Sequence, residues 1–179
     1  MVVSRPLPAG GRELLDEVHE YLPEDRVGLI ERALTFAIEA HGEQKRRSGD
    51  PYITHPIAVA RLVTSLRMDP PTIAAALLHD VVEDTAVTFA DLQAAGFSDE
   101  IVDTVRALTK SPGERRLDAA TRAASHPIAR VVKLADVRDN MDLSRIAEPT
   151  PQDYARISEY AEVRALLESR IANATLPPT

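Results

Sequence analysis

Residues 73–84 read IAAALLHDVVED, an apolar run that ends in a cluster of ionisable side chains. A helix formed by the apolar part would be hydrophobic on every side, and such helices lie in the interior of a protein. Two prolines stand shortly before the run, and proline suits the first turn of a helix. We therefore predict a central buried helix that carries His79 and Asp80. One turn further along, the same helix would carry the acidic pair Glu83 and Asp84.

The rest of the chain also follows a helical pattern, with apolar residues three or four positions apart and no strand-like alternation. Thr88 and Asp91 form a predicted capping box at the start of a short helix that ends at Gly96. Residues 42–54 contain two glycines, a proline and a charged cluster, and are predicted to form a loop. The predicted helices cover residues 12–22, 26–40, 56–66, 70–84, 89–95, 99–108, 115–124, 127–140 and 151–171.

These helices predict an all-α fold, a helical bundle around the central buried helix that carries the His–Asp pair. A chain of 179 residues fits one domain, and we expect a single domain over residues 12–172. The proline- and glycine-rich start, residues 1–11, and the tail, residues 173–179, are predicted to be flexible.

Composition excludes several classes of protein and of site. The net charge of −7 argues against nucleic acid as a partner, although Lys45, Arg46 and Arg47 form a local basic cluster. No apolar run reaches the ~20 residues needed to cross a membrane. The start of the chain also has no apolar signal segment, so we expect a cytoplasmic protein. Cysteine is absent, which excludes disulfides and thiolate ligands; any metal must therefore be held by imidazole and carboxylate groups.

A divalent metal ion would compensate the charge at the end of the buried helix. His79 and Asp80 can both reach one ion, but two ligands do not saturate it. His55 stands between the basic loop and a helix-starting proline, and Asp136 lies on the inward stripe of a later helix, where an unpaired charge is costly. Two imidazoles and two carboxylates suit Mn²⁺, Fe²⁺ or Zn²⁺. Such an ion makes hydroxide available near neutral pH.

Each of these residues also has an ordinary structural explanation. Asp136 by itself fits an ion pair with Lys133 or Arg138, and a single His–Asp dipeptide on a helix often occurs by chance. Arg46 and Arg47 by themselves would be part of a solvated loop in most proteins. The combination of all these residues is a stronger indication than any one of them. The remaining histidines are interpreted as structural or surface residues: His19, His41 and His126.

The combination resembles the HD superfamily and, within it, the hydrolase domain of the RelA/SpoT alarmone enzymes. The matching segments occur in the family order over most of residues 26–145. They are AHGEQKRRSGDPYITHPIAVA (40–60), AALLHDVVEDT (75–85), ALTK (107–110) and VKLADVRDNM (132–141). The resemblance implies a single HD phosphohydrolase domain.

Site roles follow from this resemblance, position by position. The implied metal ligands, usually for Mn²⁺, are His55, His79, Asp80 and Asp136. Glu83 and Asp84 match the acidic pair that orients or deprotonates the attacking water. The implied substrate contacts are Arg46 to the guanine base, Arg47 and Ser48 to the nucleotide and its phosphates, and Asn140 near the ribose.

The reaction that the resemblance implies is hydrolysis of the 3′-pyrophosphate of guanosine tetra- or pentaphosphate, which releases pyrophosphate and GDP or GTP. A guanine nucleotide is thus the expected small-molecule partner, and a homo-oligomer is compatible with the sequence. A phosphohydrolase for another nucleotide, such as NADPH or a nucleoside monophosphate, is the alternative. A non-catalytic nucleotide-binding module is a second alternative, which the presence of both Glu83 and Asp84 disfavours. A third alternative is an acidic surface cluster that holds no metal.

The chain departs from the family pattern in three respects. The family commonly reads KLADRLHN where this chain reads KLADVRDN, so that Val137 replaces a basic residue and Asp139 replaces histidine. The segment between ALTK and VKLAD is shorter than in the long bifunctional enzymes. We expect no synthetase or regulatory domain to follow, which would make the chain similar to the small, stand-alone alarmone hydrolases. The first change leaves the metal ligands intact but alters the wall of the expected pocket.

Overall fold

The computed structural model describes residues 7–174, which contain ten α-helices and no β-strand. The helices are α1 (Gly11–His19), α2 (Glu24–His41), α3 (Thr54–Ser65), α4 (Pro70–Leu78), α5 (Val81–Asp84), α6 (Phe89–Ala94), α7 (Asp99–Leu108), α8 (Arg116–Ala124), α9 (Pro127–Asn140) and α10 (Pro151–Ala174). The all-α prediction is confirmed. The predicted flexible ends fall largely on residues 1–6 and 175–179, which lie outside the described residues, and α10 continues through Ala174.

Helix α4 lies at the centre of the fold, as its sequence predicts. Every residue from Thr72 to Leu78 is buried, with at most 1% of its surface exposed. The helix packs against α2 and α3 on two sides and against α7 and α9 on others. Asp69 caps its first turn by accepting a hydrogen bond from the Thr72 backbone N–H. The end of this helix is thereby placed in the interior of the bundle.

The helical run does not continue through residues 73–84, and this corrects the prediction of one continuous helix. Helix α4 ends at Leu78, His79 and Asp80 form a turn, and α5 starts at Val81. The Asp80 backbone, with φ −101° and ψ −8°, lies outside regular helical values. The side chains of His79 and Asp80 converge at this turn, where Oδ2 of Asp80 lies 3.1 Å from Nε2 of His79.

Two further helices frame the end of α4. Helix α3 begins at Thr54, two residues earlier than predicted, so His55 belongs to its first turn. Helix α9 packs against α3 and brings Asp136 to the same place. Helix α10 lies across α8 and α9 over a second apolar cluster, to which Tyr160, Val163 and Leu167 contribute. The site therefore lies where three helices meet.

Local signals at the helix ends agree with the structure. Thr88 and Asp91 form the predicted capping box, in which the Thr88 hydroxyl accepts from the Asp91 N–H and the Asp91 carboxylate accepts from the Thr88 N–H. His126 caps α9 through its Nδ1, which accepts from the Ala129 N–H at 3.2 Å. Within residues 7–174, no helix is long and apolar enough to cross a membrane.

Candidate active site

His55, His79 and Asp80 form a compact group at the end of α4. One nitrogen or oxygen atom from each lies within 4.8 Å of the others. Oδ2 of Asp80 is 3.1 Å from Nε2 of His79 and 3.4 Å from Nε2 of His55. Oδ1 of Asp136 completes the group at 3.2 Å from Nε2 of His55 and 3.8 Å from Nε2 of His79. The four residues predicted as metal ligands are thus close together in space, although they come from three segments.

The hydrogen bonds of His79 leave one ring nitrogen for a ligand. Its Nδ1 is 2.7 Å from the Ala76 carbonyl oxygen, which can only accept, so Nδ1 carries a proton. Its Nε2 is buried and has no hydrogen-bond partner among the described residues. A buried polar atom without a partner is costly unless an ion or a water satisfies it. The Nε2 atom points toward two carboxylates, as expected for a metal-ligating imidazole.

His55 has the same arrangement with a different partner. Its Nδ1 is 2.7 Å from Oδ2 of Asp139, so this nitrogen donates and Nε2 faces Asp80 and Asp136. Metal-ligating histidines almost always donate their other ring nitrogen to a carboxylate or a carbonyl. The donor set of two imidazole nitrogens and two carboxylates therefore fits a divalent ion such as Mn²⁺, Fe²⁺ or Zn²⁺.

The ionisable groups of the cluster shift one another's pKa strongly. Burial lowers the pKa of His79, but Asp80 and Asp136 outweigh burial and raise it to about 9. Burial also opposes the charged form of His55, yet the surrounding carboxylates hold its pKa well above the usual range. Burial raises the pKa of Asp80, and the two imidazoles reverse this and hold it well below its usual range. Buried carboxylates of this kind need positive charge close by, from protons or from a cation.

Asp136 also has the ion pair that its structural explanation predicts. Lys133 Nζ donates to its Oδ2 at 2.8 Å, and Asn140 Nδ2 donates to its Oδ1 at 2.5 Å. Burial raises the pKa of Asp136, but Lys133 and the histidines lower it well below its usual range. The lysine and the cluster contact Asp136 at the same time, so the two explanations do not exclude each other. Asn140, predicted to lie near a ribose, also contacts this proposed metal ligand.

The two residues of the predicted acidic pair have different hydrogen-bond partners. Oδ2 of Asp84 is 2.7 Å from the Tyr52 hydroxyl, which is also 2.7 Å from Oδ2 of Asp80. The Tyr52 hydroxyl has one proton, so it can donate to only one of the two carboxylates at a time. Tyr52 thus links Asp84 to Asp80 of the cluster by donating to either of them. Glu83 instead accepts the Lys110 backbone N–H at 2.7 Å, and partial burial raises its pKa. Glu83 and Asp84 are both exposed residues.

One cavity of about 200 Å³ collects all four residues predicted to contact a substrate, namely Arg46, Arg47, Ser48 and Asn140. Tyr52 also lines this cavity, and it connects the cavity to the cluster through its contact with Asp80. Arg156, on the first turns of α10, adds another positive charge to the wall. The cavity therefore combines several donors to phosphate with two residues, Tyr52 and Asn140, that contact proposed metal ligands.

Besides Asn140, the other three predicted substrate contacts are also hydrogen-bonded within the chain. Arg46 pairs with Asp139 at 3.1 Å, and Ser48 donates to the Asp50 carboxylate at 2.8 Å. Arg47 donates to the carboxylate of Asp153 and to the hydroxyl of Thr150, at the start of α10. A guanidinium group has five N–H donors, so these pairs hold each arginine in place and leave donors for a ligand.

A larger cavity of about 620 Å³ lies on the other side of Asp139, between α1, α3 and the end of α9. Its wall combines arginines such as Arg61 and Arg67 with carboxylates such as Glu17. None of the four proposed metal ligands lines either cavity, but the smaller one is lined by Tyr52 and Asn140, which contact Asp80 and Asp136. The smaller cavity is therefore the better candidate for a substrate, because it adjoins the chemistry.

Sequence reasoning did not assign two residues of the site. Tyr52 lies three positions before His55, and Asp139 lies three positions after Asp136 on the same face of α9. Their spacing of three residues from predicted metal ligands was the feature of the sequence that could have identified them. Of the other histidines, His41 is buried and its Nδ1 contacts Gln44, while His19 is exposed beside Glu24.

A family model described as HD domain matches residues 33–141, which is more than half of the chain and includes all four proposed metal ligands. The chain belongs to the HD domain family. The family implies a divalent metal, and the His–Asp cluster provides a place for one.

Curated relatives share this part of the sequence. A probable GTP pyrophosphokinase from Mycobacterium leprae is 39% identical over 92% of this chain and 22% of its own length. A guanosine-3′,5′-bis(diphosphate) 3′-pyrophosphohydrolase from Vibrio cholerae is 37% identical over 91% of this chain and 22% of its own length. The bifunctional (p)ppGpp synthase/hydrolase SpoT of Escherichia coli is 42% identical over 52% of this chain and 13% of its own length. The chain therefore spans about a fifth or less of these relatives.

A solved structure of similar fold covers nearly the same unit. It is described as a metazoan ortholog of SpoT that hydrolyzes ppGpp and plays a role in starvation responses. The TM-score is 0.67 with 24% identity, over 87% of this chain and 99% of that chain. This similarity supports the helical HD architecture.

Proposed function

We propose that this HD domain hydrolyses the 3′-pyrophosphate of guanosine tetra- or pentaphosphate and releases pyrophosphate with GDP or GTP. The observation that carries the proposal is the position of the 200 Å³ cavity, which contains the four residues matched to nucleotide contacts and adjoins the His–Asp cluster. The names of the Vibrio cholerae and Escherichia coli relatives support the same substrate class.

We propose His55, His79, Asp80 and Asp136 as the ligands of a divalent ion, with Mn²⁺ as the first candidate. The unpartnered Nε2 of His79 and the Nδ1 hydrogen bonds of both imidazoles support this assignment. When bound, the ion would supply Lewis-acid activation of water and of the phosphoryl group.

The chain's own residues would orient the reactants around that ion. Glu83 and Asp84 would orient and deprotonate the attacking water, with Tyr52 holding the Asp84 carboxylate toward the cluster. Burial raises the pKa of Glu83, which makes it a stronger base than a free carboxylate. Its backbone contact with Lys110 restricts the directions from which it can accept a proton.

The nucleotide would be held from the opposite wall of the cavity. The planar guanidinium of Arg46 is suited to stack on a purine, and Arg47 and Ser48 are suited to donate to phosphate oxygens. Asn140 would contact the ribose with the donor that its bond to Asp136 leaves free. A cytoplasmic location and self-association remain predictions from the sequence.

The test is incubation of metal-stripped protein with ppGpp, with and without Mn²⁺, followed by ion-exchange chromatography of the products. Equal amounts of GDP and pyrophosphate that depend on Mn²⁺ are expected. Asp80→Ala serves as the inactive control, and Asp103→Ala, an exposed aspartate on α7, serves as the matched active control.

Other results would point to the alternatives. Orthophosphate released from NADPH or from a nucleoside monophosphate, with ppGpp left intact, would make the chain a phosphohydrolase for a different nucleotide. Binding of ppGpp with no turnover in the presence of bound metal would identify a non-catalytic module. Turnover of ppGpp that is unaffected by chelation would contradict the metal assignment.

A further inference from the structure

Asp139 joins three separate segments at the base of the candidate site. It lies one helical turn after Asp136 on α9, and only 3% of its side chain is exposed. Its Oδ2 is 2.7 Å from Nδ1 of His55 in α3 and 3.1 Å from Nη1 of Arg46 in the loop before α3. Its Oδ1 is 2.6 Å from Nη2 of Arg145, in the segment after α9.

The carboxylate is needed for this set of contacts because all three partners are donors. A carboxylate has about four lone-pair positions and can accept from an imidazole and two guanidinium groups together. A neutral imidazole offers one acceptor nitrogen, so a histidine, which the resemblance leads one to expect at position 139, could accept from only one of them. The replacement of histidine by aspartate therefore changes what the residue at position 139 can hold.

Two consequences follow for the site. The hydrogen bond to Nδ1 fixes the tautomer of His55 and directs its Nε2 toward Asp80 and Asp136. The same oxygen atom anchors Arg46, whose side chain is only 16% exposed, at the edge of the cavity. A displacement of Asp139 would therefore disturb the metal ligand and the base-facing arginine at the same time.

We propose that Asp139 is a positioning residue that couples the metal ligand His55 to the nucleotide-contacting Arg46. It sets the affinity for the divalent ion and the binding of the purine nucleotide through one side chain. The part that concerns the nucleotide rests on the proposed function, whereas the part that concerns the ion rests only on the geometry of the cluster.

The first measurement is the Kd of Mn²⁺ for metal-stripped protein, by isothermal titration calorimetry without any nucleotide. Asp139→Ala should raise this Kd by about 10–100-fold, the usual effect of losing the partner of a ligating histidine. Asp139→Asn should raise it less, because the amide oxygen still accepts from His55. The matched control is Asp142→Asn, which also removes one negative charge beside Arg145 but at a more exposed position. The Kd of Mn²⁺ for this control should stay within about threefold of the wild-type value.

The second measurement is KM for ppGpp, which separates the effect of Asp139 on Arg46 from its effect on His55. Arg46→Ala should leave the Kd of Mn²⁺ within about threefold, because the bond between His55 and Asp139 remains and Arg46, although mostly buried, is not a ligand. It should raise KM for ppGpp by about tenfold or more, in line with the loss of a charge-assisted hydrogen bond. Asp139→Asn should raise the same KM, and the double variant should show less than the product of the two effects, since contacting residues are not additive.

A wild-type Kd for Mn²⁺ in Asp139→Ala, with native circular dichroism, would overturn the proposal. If Asp139→Ala does not fold, an unchanged Kd together with an unchanged KM in Asp139→Asn would overturn it instead. Absence of ppGpp turnover in the wild type would contradict the proposed function, while a shifted Kd for Mn²⁺ would still support the role of Asp139 toward His55.

Discussion

Replacement of Asp80 by alanine should remove the stabilisation that a divalent ion gives to the folded protein. Oδ2 of Asp80 lies 3.1 Å and 3.4 Å from the Nε2 atoms of His79 and His55, so its removal takes away a carboxylate that is close to both imidazoles. An ion at about 100 times its Kd stabilises the folded state by about 2.7 kcal/mol. For a chain of this size, 1 kcal/mol shifts the Tm by about 2–4 °C, so wild-type protein should gain about 5–11 °C.

The assay is differential scanning fluorimetry of metal-stripped protein with and without Mn²⁺. Wild type should show the full rise in Tm, and Asp80→Ala should show almost none, because three of the four donors hold a divalent ion poorly. Asp103→Ala, an aspartate with 67% of its side chain exposed, should keep the rise. A full rise in Asp80→Ala would refute the assignment, since the ion would then bind elsewhere. Failure of wild type to respond to Mn²⁺, Fe²⁺ and Zn²⁺ would refute the metal site itself.

Three further predictions concern other parts of the site and its supports. Glu83→Gln should keep the rise in Tm that Mn²⁺ causes, because an amide oxygen can still accept from the Lys110 backbone N–H. The same variant should lower kcat by roughly 10²–10⁴-fold in the ppGpp assay, and an unchanged kcat would remove Glu83 from the mechanism. Burial lowers the pKa of His41, so His41 takes up a proton in the unfolded chain before it does so in the folded one as the pH falls. The contribution of neutral His41 to the free energy of unfolding is therefore fully present above about pH 6.5 and is lost below it. Urea unfolding of His41→Phe should show less of this loss, by up to about 1.4 kcal/mol per pH unit, and equal slopes for both proteins would contradict the assignment. Asp153→Ala should lower the free energy of unfolding by about 1–2 kcal/mol, because the Asp153 carboxylate accepts from the Thr150 N–H at the start of α10 and from Arg47. Asp153→Asn keeps one acceptor oxygen and should lower it less. An equal loss in both variants would argue against a capping role.

The sequence alone determined the features that depend on neighbouring residues. The buried character of α4 followed from an apolar run with no polar face, and the capping box at Thr88 and Asp91 followed from two side chains three positions apart. The family pattern pointed to His55, His79, Asp80 and Asp136, and these four do lie together. Patterns of this kind are readable because helix periodicity and capping act over one or two turns.

Only the tertiary structure decided the features that depend on the packing of distant segments. The helix break at His79 and Asp80 cannot be predicted from an apolar run, and the two side chains converge at this break. The pairing of Arg46 with Asp139 could not be predicted either, because the loop before α3 reaches Asp139 only when α3 packs against α9. Residue types report which hydrogen bonds a side chain is able to make, but the packing of the helices selects which ones form. For that reason the donor set could be predicted from the chain, whereas the network that orients it could not.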